Sequence, residues 1–122
     1  MKNKIIIEDY WKAVNNRDWD TFEKLVSDDI IYTLPQTRER VTGLMAFREL
    51  NETYPGNWTL SLTDLIVDDY QAVSKISFIN DNEEETGISF FEIYNSKIVR
   101  ITEYWPVPYD PPKRNCKHIE KY

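Results

Sequence analysis

The chain has 122 residues, 41% of them hydrophobic and 30% charged, and a formal net charge of −6. That length suits one domain with one core. The negative balance, without a basic stripe, argues against nucleic acid and against anionic membrane surfaces as partners. Cys116 and His118 are each the only residue of their kind, so internal disulfides, thiolate clusters, histidine-based zinc sites and Ser-His-Asp triads are excluded, and no metal or cofactor is expected.

The opening MKNKIII is too short an apolar run for a secretion signal or a membrane span, so a cytoplasmic protein is expected. Ile7, Tyr10, Trp11 and Val14 follow helical spacing, which predicts a first helix over residues 4–16. Asp18 fits the N-cap of a second short helix carrying Trp19, Phe22, Leu25 and Val26 inward, with Ser27-Asp28-Asp29 as its end. Ile30-Ile31-Tyr32-Thr33-Leu34 reads as a strand stopped by Pro35. Gln36 to Arg40 reads as a polar loop. Thr42 then caps a third helix with Leu44, Phe47, Leu50 and Tyr54 on one side, and Pro55-Gly56 ends it.

Period two takes over at Trp58, Leu60 and Leu62. Asp68-Asp69 marks a turn, residues 71–79 a strand, Asn80 to Glu85 an acidic loop, and 88–94 and 97–105 two further strands. Asn95-Ser96 joins the last pair. Taken as a two-residue hairpin turn, it sets Tyr94 opposite Lys97, Glu92 opposite Val99, Phe90 opposite Ile101 and Ile88 opposite Glu103, all on one face. The prolines of EYWPVPYDPP end the sheet and begin a separate tail, so residues 1–105 form the domain and 106–122 a Pro-rich, polar extension. Pro106 to Pro112 is expected to run extended along the pocket rim or a partner subunit.

Helices first and a curved antiparallel sheet after them is an α+β order. The stretches DYWKAVNNRDWDTFEKLVSDDIIYTLP, VTGLMAF and NSKIVRITEYW resemble the opening, third-helix entry and final hairpin of the cone-shaped nuclear transport factor two-like fold. Within it, the final Glu-Tyr-Trp before prolines is most similar to SnoaL-like proteins. The resemblance implies helices packed into the concave face of a strongly curved, mostly antiparallel sheet. It implies a pocket lined by Tyr10, Val14, Tyr32, Leu50, Trp58, Phe90, Glu92, Glu103 and Trp105, suited to a small apolar or aromatic ligand. It also implies a homodimer through the sheet.

Matched to steroid isomerases of this fold, Tyr10 takes the tyrosine position, while the base and the oxyanion acid fall near Leu34 and Phe90. Neither side chain can act as acid or base, which speaks against steroid-type isomerisation. Glu103 is the candidate acid/base, with Tyr10 or Tyr32 as donor to a carbonyl oxygen; a strand-end glutamate paired with Arg48 or Arg100 is the other reading. Glu92 and Glu103 stand about 13 Å apart at the usual strand rise, too far to share a proton. Two functions follow: small-molecule binding, with cofactor-free cyclase- or isomerase-like acid/base chemistry, or a non-catalytic dimerising adaptor of the same fold.

Overall fold

The computed structural model describes residues 2–122. Helix α1 spans Lys2–Asn16 and buries Ile6, Ile7, Tyr10, Trp11, Ala13 and Val14, the face that the 3.6-residue period assigns to the core. Helix α2, Trp19–Leu25, starts at Asp18, whose carboxylate accepts from the Thr21 N–H and from the Thr21 hydroxyl. It ends earlier than expected. Val26 is already extended, so Ser27-Asp28-Asp29 lies inside strand β1, Val26–Leu34, where the pairing with its neighbour shifts register.

The segment expected to be a wholly polar loop contains strand β2, Glu39–Thr42, an exposed four-residue edge too short for a periodic signal. Helix α3 is Leu44–Glu52. Its N-cap position belongs to Gly43 rather than Thr42: Gly43 has φ 98°, where a side chain is strained, and the cap has no side-chain hydrogen bond. Strands β3 (Trp58–Val67), β4 (Gln71–Asn80), β5 (Glu83–Tyr94) and β6 (Lys97–Tyr104) follow. The expected acidic loop shrinks to Asp81-Asn82, both at positive φ like Asn95-Ser96. Both hairpins therefore turn in two residues, a geometry that matches strand twist and lets the glutamates join β5.

The described residues form one six-stranded sheet in the order β2-β1-β6-β5-β4-β3, antiparallel except for β1 beside β6. The helices cover one face. Tyr10 packs on Phe22 and Phe91, Phe22 on Phe47, and Phe47 on Tyr32, at centroid separations of 4.7 to 5.7 Å. Such pairs add roughly 0.5–1.5 kcal/mol each beyond their buried area. Pro106–Tyr122 is exposed and carries no helix or strand.

The register of the last hairpin corrects the expectation. Tyr94 does face Lys97 and Ile93 faces Ile98, but the next pair is Glu92 with Arg100. Val99 is an extra residue, a bulge, after which Phe91 faces Ile101, Phe90 faces Thr102 and Ser89 faces Glu103. Alternation then places Ser89, Phe91, Ile93, Ile98, Ile101 and Glu103 on the buried face and turns Phe90 and Glu92 outward.

Candidate functional site

Three inward positions line up across the sheet, Glu103 from β6, Ser89 from β5 and Ser74 from β4, and Tyr32 on β1, which pairs with Ile101, reaches Glu103 diagonally. Glu103 is only 5% exposed and Ser89 is fully buried. One oxygen of Glu103, Oε1, accepts from the Tyr32 hydroxyl at 2.5 Å and from Trp105 Nε1 at 3.2 Å. Oε2 accepts from the Ser89 hydroxyl at 2.6 Å. Neither Arg48 nor Arg100 reaches it, because Arg48 pairs with Glu23 and Glu52 and Arg100 with Glu92. Beside this row, Trp11 on α1 donates its indole N–H to Ser74 at 3.0 Å.

Burial pushes the Glu103 carboxyl above its ordinary pKa, against the opposing pull of the Ser89, Tyr32 and Trp105 hydrogen bonds. Burial and the charge of Glu103 both raise Tyr32 and Tyr10, so the two phenols stay protonated at any physiological pH. Two proton arrangements satisfy the Tyr32–Glu103 contact. With Glu103 ionised, the Tyr32 O–H points at the carboxylate. With Glu103 protonated, its O–H can donate to the Tyr32 oxygen and release the Tyr32 proton toward the cavity. The pair can thus deliver or withdraw a proton at one position.

Above this row lies a cavity of about 520 Å³. Tyr10, Val14, Tyr32, Leu50, Trp58, Glu103 and Trp105 line it, as expected of them from the sequence. Leu50 is 38% exposed and contributes to the rim rather than to the floor. Phe90 and Glu92 do not line it. Phe90 is 47% exposed on the opposite face and Glu92 pairs there with Arg100 at 3.1 Å; the Val99 bulge, absent from the expected register, is the cause.

The sequence reading missed several contributors. Trp11, Leu34, Val41, Leu60, Ile76 and Phe78 add apolar wall, and Gln36, Thr37, Glu39, Tyr54, Glu85 and Val107 are exposed residues at the mouth. Gln36 accepts the Trp105 backbone N–H at 2.5 Å, tying the β1–β2 turn to the end of β6. Ser89 was legible only with the bulge in place. Once β6 is shifted by one, a serine stands directly across from Glu103.

The Trp105 ring fits for a simple reason. Gly87 lies across from it in the continued register, and a Cβ there would sit 2.8 Å from the ring. Leu34, where a base was sought, lines the cavity, so that position offers no carboxylate. Phe90 points away from the cavity, so neither matched position brings an acid or base to it, and the buried carboxyl at its wall is Glu103 on β6. Among the described residues no group of three or more His, Cys, Asp or Glu side chains could hold a metal ion. No helix among the described residues is long and apolar enough to cross a membrane.

A family model described as a SnoaL-like domain matches residues 7–101. No curated protein matches the sequence. Among solved structures, a candidate ketosteroid isomerase from Kribbella flavida DSM 17836 is 31% identical. The match covers 99% of this chain and 90% of that one, with a TM-score of 0.95. An NTF-2 like protein of unknown function from Burkholderia xenovorans LB400 is 22% identical over 99% of this chain and 95% of that one, TM-score 0.83. A candidate polyketide cyclase from Xanthomonas campestris pv. campestris is 20% identical over 86% of this chain and 90% of that one, TM-score 0.69. At those lower identities the last two show the shared fold alone. With helices on the inner face of a curved sheet and a family match over most of its length, the chain belongs to the SnoaL-like family of nuclear transport factor two-like proteins.

Proposed function

We propose that this protein binds a small apolar or aromatic molecule in the cavity and performs cofactor-free proton transfer on a carbonyl compound, of the isomerase or cyclase kind. The observation that carries this reading is the buried Glu103 hydrogen-bonded to Tyr32 at the cavity wall. Glu103 serves as the acid/base and Tyr32 as its contact to the ligand. Tyr10, buried and lining the same cavity, is the second donor. A buried carboxyl whose pKa is raised above the ordinary range is suited to taking and returning a proton. The similarity to a candidate ketosteroid isomerase and a candidate polyketide cyclase points the same way.

Native mass spectrometry of freshly purified protein tests the binding half. The expected result is a co-purified small molecule that is lost on denaturation. Once a substrate is in hand, Glu103→Gln is expected to lower turnover by 100-fold or more, the usual contribution of a positioned acid/base. Full turnover in that variant would remove Glu103 from the mechanism.

A dimer belongs to the same proposal. The outer sheet face exposes Ile66, Ile79, Phe90 and Tyr104, and around this strip Glu92 pairs with Arg100 and Lys75 with Asp64. A second copy supplies the same apolar strip, as a two-fold contact requires. A purely adaptor role is less well supported, since such a protein has no need of an open interior.

A further inference from the structure

Among the residues lining the cavity are three carboxylates, Glu39, Glu85 and Glu103, and no lysine, arginine or histidine. The nearby cations are engaged elsewhere or turned away. Arg40 lies between Glu39 and Val41, both of which line the cavity, so strand alternation sends it to the other face. Arg17 sits with its guanidinium 3.6 Å from the centroid of the Trp58 ring and donates to the Trp58 carbonyl, without lining the cavity itself. A carboxylate- or phosphate-bearing ligand would therefore meet no counter-charge inside.

The wall has the opposite affinity. Tyr54 packs on Phe78 at 5.8 Å and Phe78 on Trp105 at 5.3 Å, and the Trp105 indole reaches the buried Glu103 carboxylate. A contiguous run of rings that ends on a carboxylate is the chemistry that holds alkylated ammonium groups: the ring faces attract the charge, and the methyl groups gain apolar contact. Glu103 has room for a further partner, since three donors use three of its roughly four acceptor sites. The net charge of −6 draws cations toward the molecule as a whole.

We propose that the cavity selects an organic cation, a protonated or quaternary amine whose apolar substituents pack on the rings, with Glu39 and Glu85 at the mouth and Glu103 at the wall compensating its charge. This rests on the reading of the cavity as a small-molecule site. The test is a pair of probes with one shape and different charge, 3-hydroxyphenyltrimethylammonium and 3-tert-butylphenol, titrated calorimetrically at pH 6.5 and low salt. The ammonium compound is expected to bind at least tenfold more tightly. Exchanging the exposed rim residues, Glu39→Gln with Glu85→Gln, is expected to lower that ratio at least threefold without a change in any buried group. Adding Glu103→Gln is expected to abolish it.

Equal or tighter binding of the neutral phenol overturns the charge selection and leaves the small-molecule site standing. Binding of neither probe at millimolar concentration overturns both. A preference that survives loss of all three carboxylates also overturns it.

Discussion

Glu103 concentrates most of the chemistry in one side chain, and its protonation makes the first prediction. Burial raises its pKa in the folded protein, so between the unfolded and folded pKa values the folded state holds a proton that the unfolded chain has released. Its contribution to stability is complete below the unfolded pKa, near the ordinary glutamate value, and is lost as pH rises through the folded one. Glu103→Gln removes that slope. Thermal melts from pH 4 to pH 8 are expected to show the melting temperature of the variant gaining on the wild type as pH rises; parallel curves would mean the carboxyl titrates normally. Gly87 is the second residue at this scale. Its backbone is ordinary, but a methyl group there would lie 2.8 Å from Trp105 and 3.1 Å from Ile76. Gly87→Ala is expected to cost about 1–3 kcal/mol by overpacking. It should also red-shift tryptophan emission and push the Glu103 titration further up, because displacing Trp105 takes away a hydrogen bond that favours the charged carboxylate.

At the scale of elements, the β6 bulge decides which side chains enter the cavity. Val99 and Arg100 both lie on the outer side, so Ile98, Ile101 and Glu103 can all face inward despite their uneven spacing. Deleting Val99 is expected to leave a regular strand with the same inward row, and cooperative unfolding followed by circular dichroism should persist. Deleting Thr102 instead moves Glu103 to an outward position and Tyr104 to an inward one. That variant is expected to unfold without a cooperative transition or to lose the pH-dependent slope altogether. Similar melting behaviour in the two deletions would mean that the bulge does not set the register. The prediction is specific because a one-residue slip reverses every side chain beyond it.

For the whole molecule, the two sheet faces have separate duties. The inner face carries helices and cavity, and the outer face carries the exposed Ile66, Ile79, Phe90 and Tyr104. Phe90→Lys introduces a charge in the middle of the outer strip without touching the core. Light scattering is expected to show a change from dimer to monomer, with the melting temperature at low protein concentration altered little. A wild type that is already monomeric at micromolar concentration would remove the dimer. Val107 lines the cavity mouth just beyond the Trp105–Gln36 hydrogen bond, so the first residues of the tail belong to the site even though the tail as a whole is exposed.

Periodicity and turn residues were enough, without coordinates, for two helices before the first strand, a third after it, and the Asn95-Ser96 turn, while the resemblance singled out Glu103 as the candidate acid. These are local properties: a helical stripe, a cap or a proline stop is written within a few adjacent residues. Folding alone settled which face each strand residue takes after a bulge, that Ser89 rather than Ile88 stands across from Glu103, and that Phe90 and Glu92 leave the cavity. The extra residue at Val99 is accommodated by strands distant in the chain, and the burial that raises the Glu103 pKa comes from residues of many elements. Neither effect is encoded in the neighbouring letters.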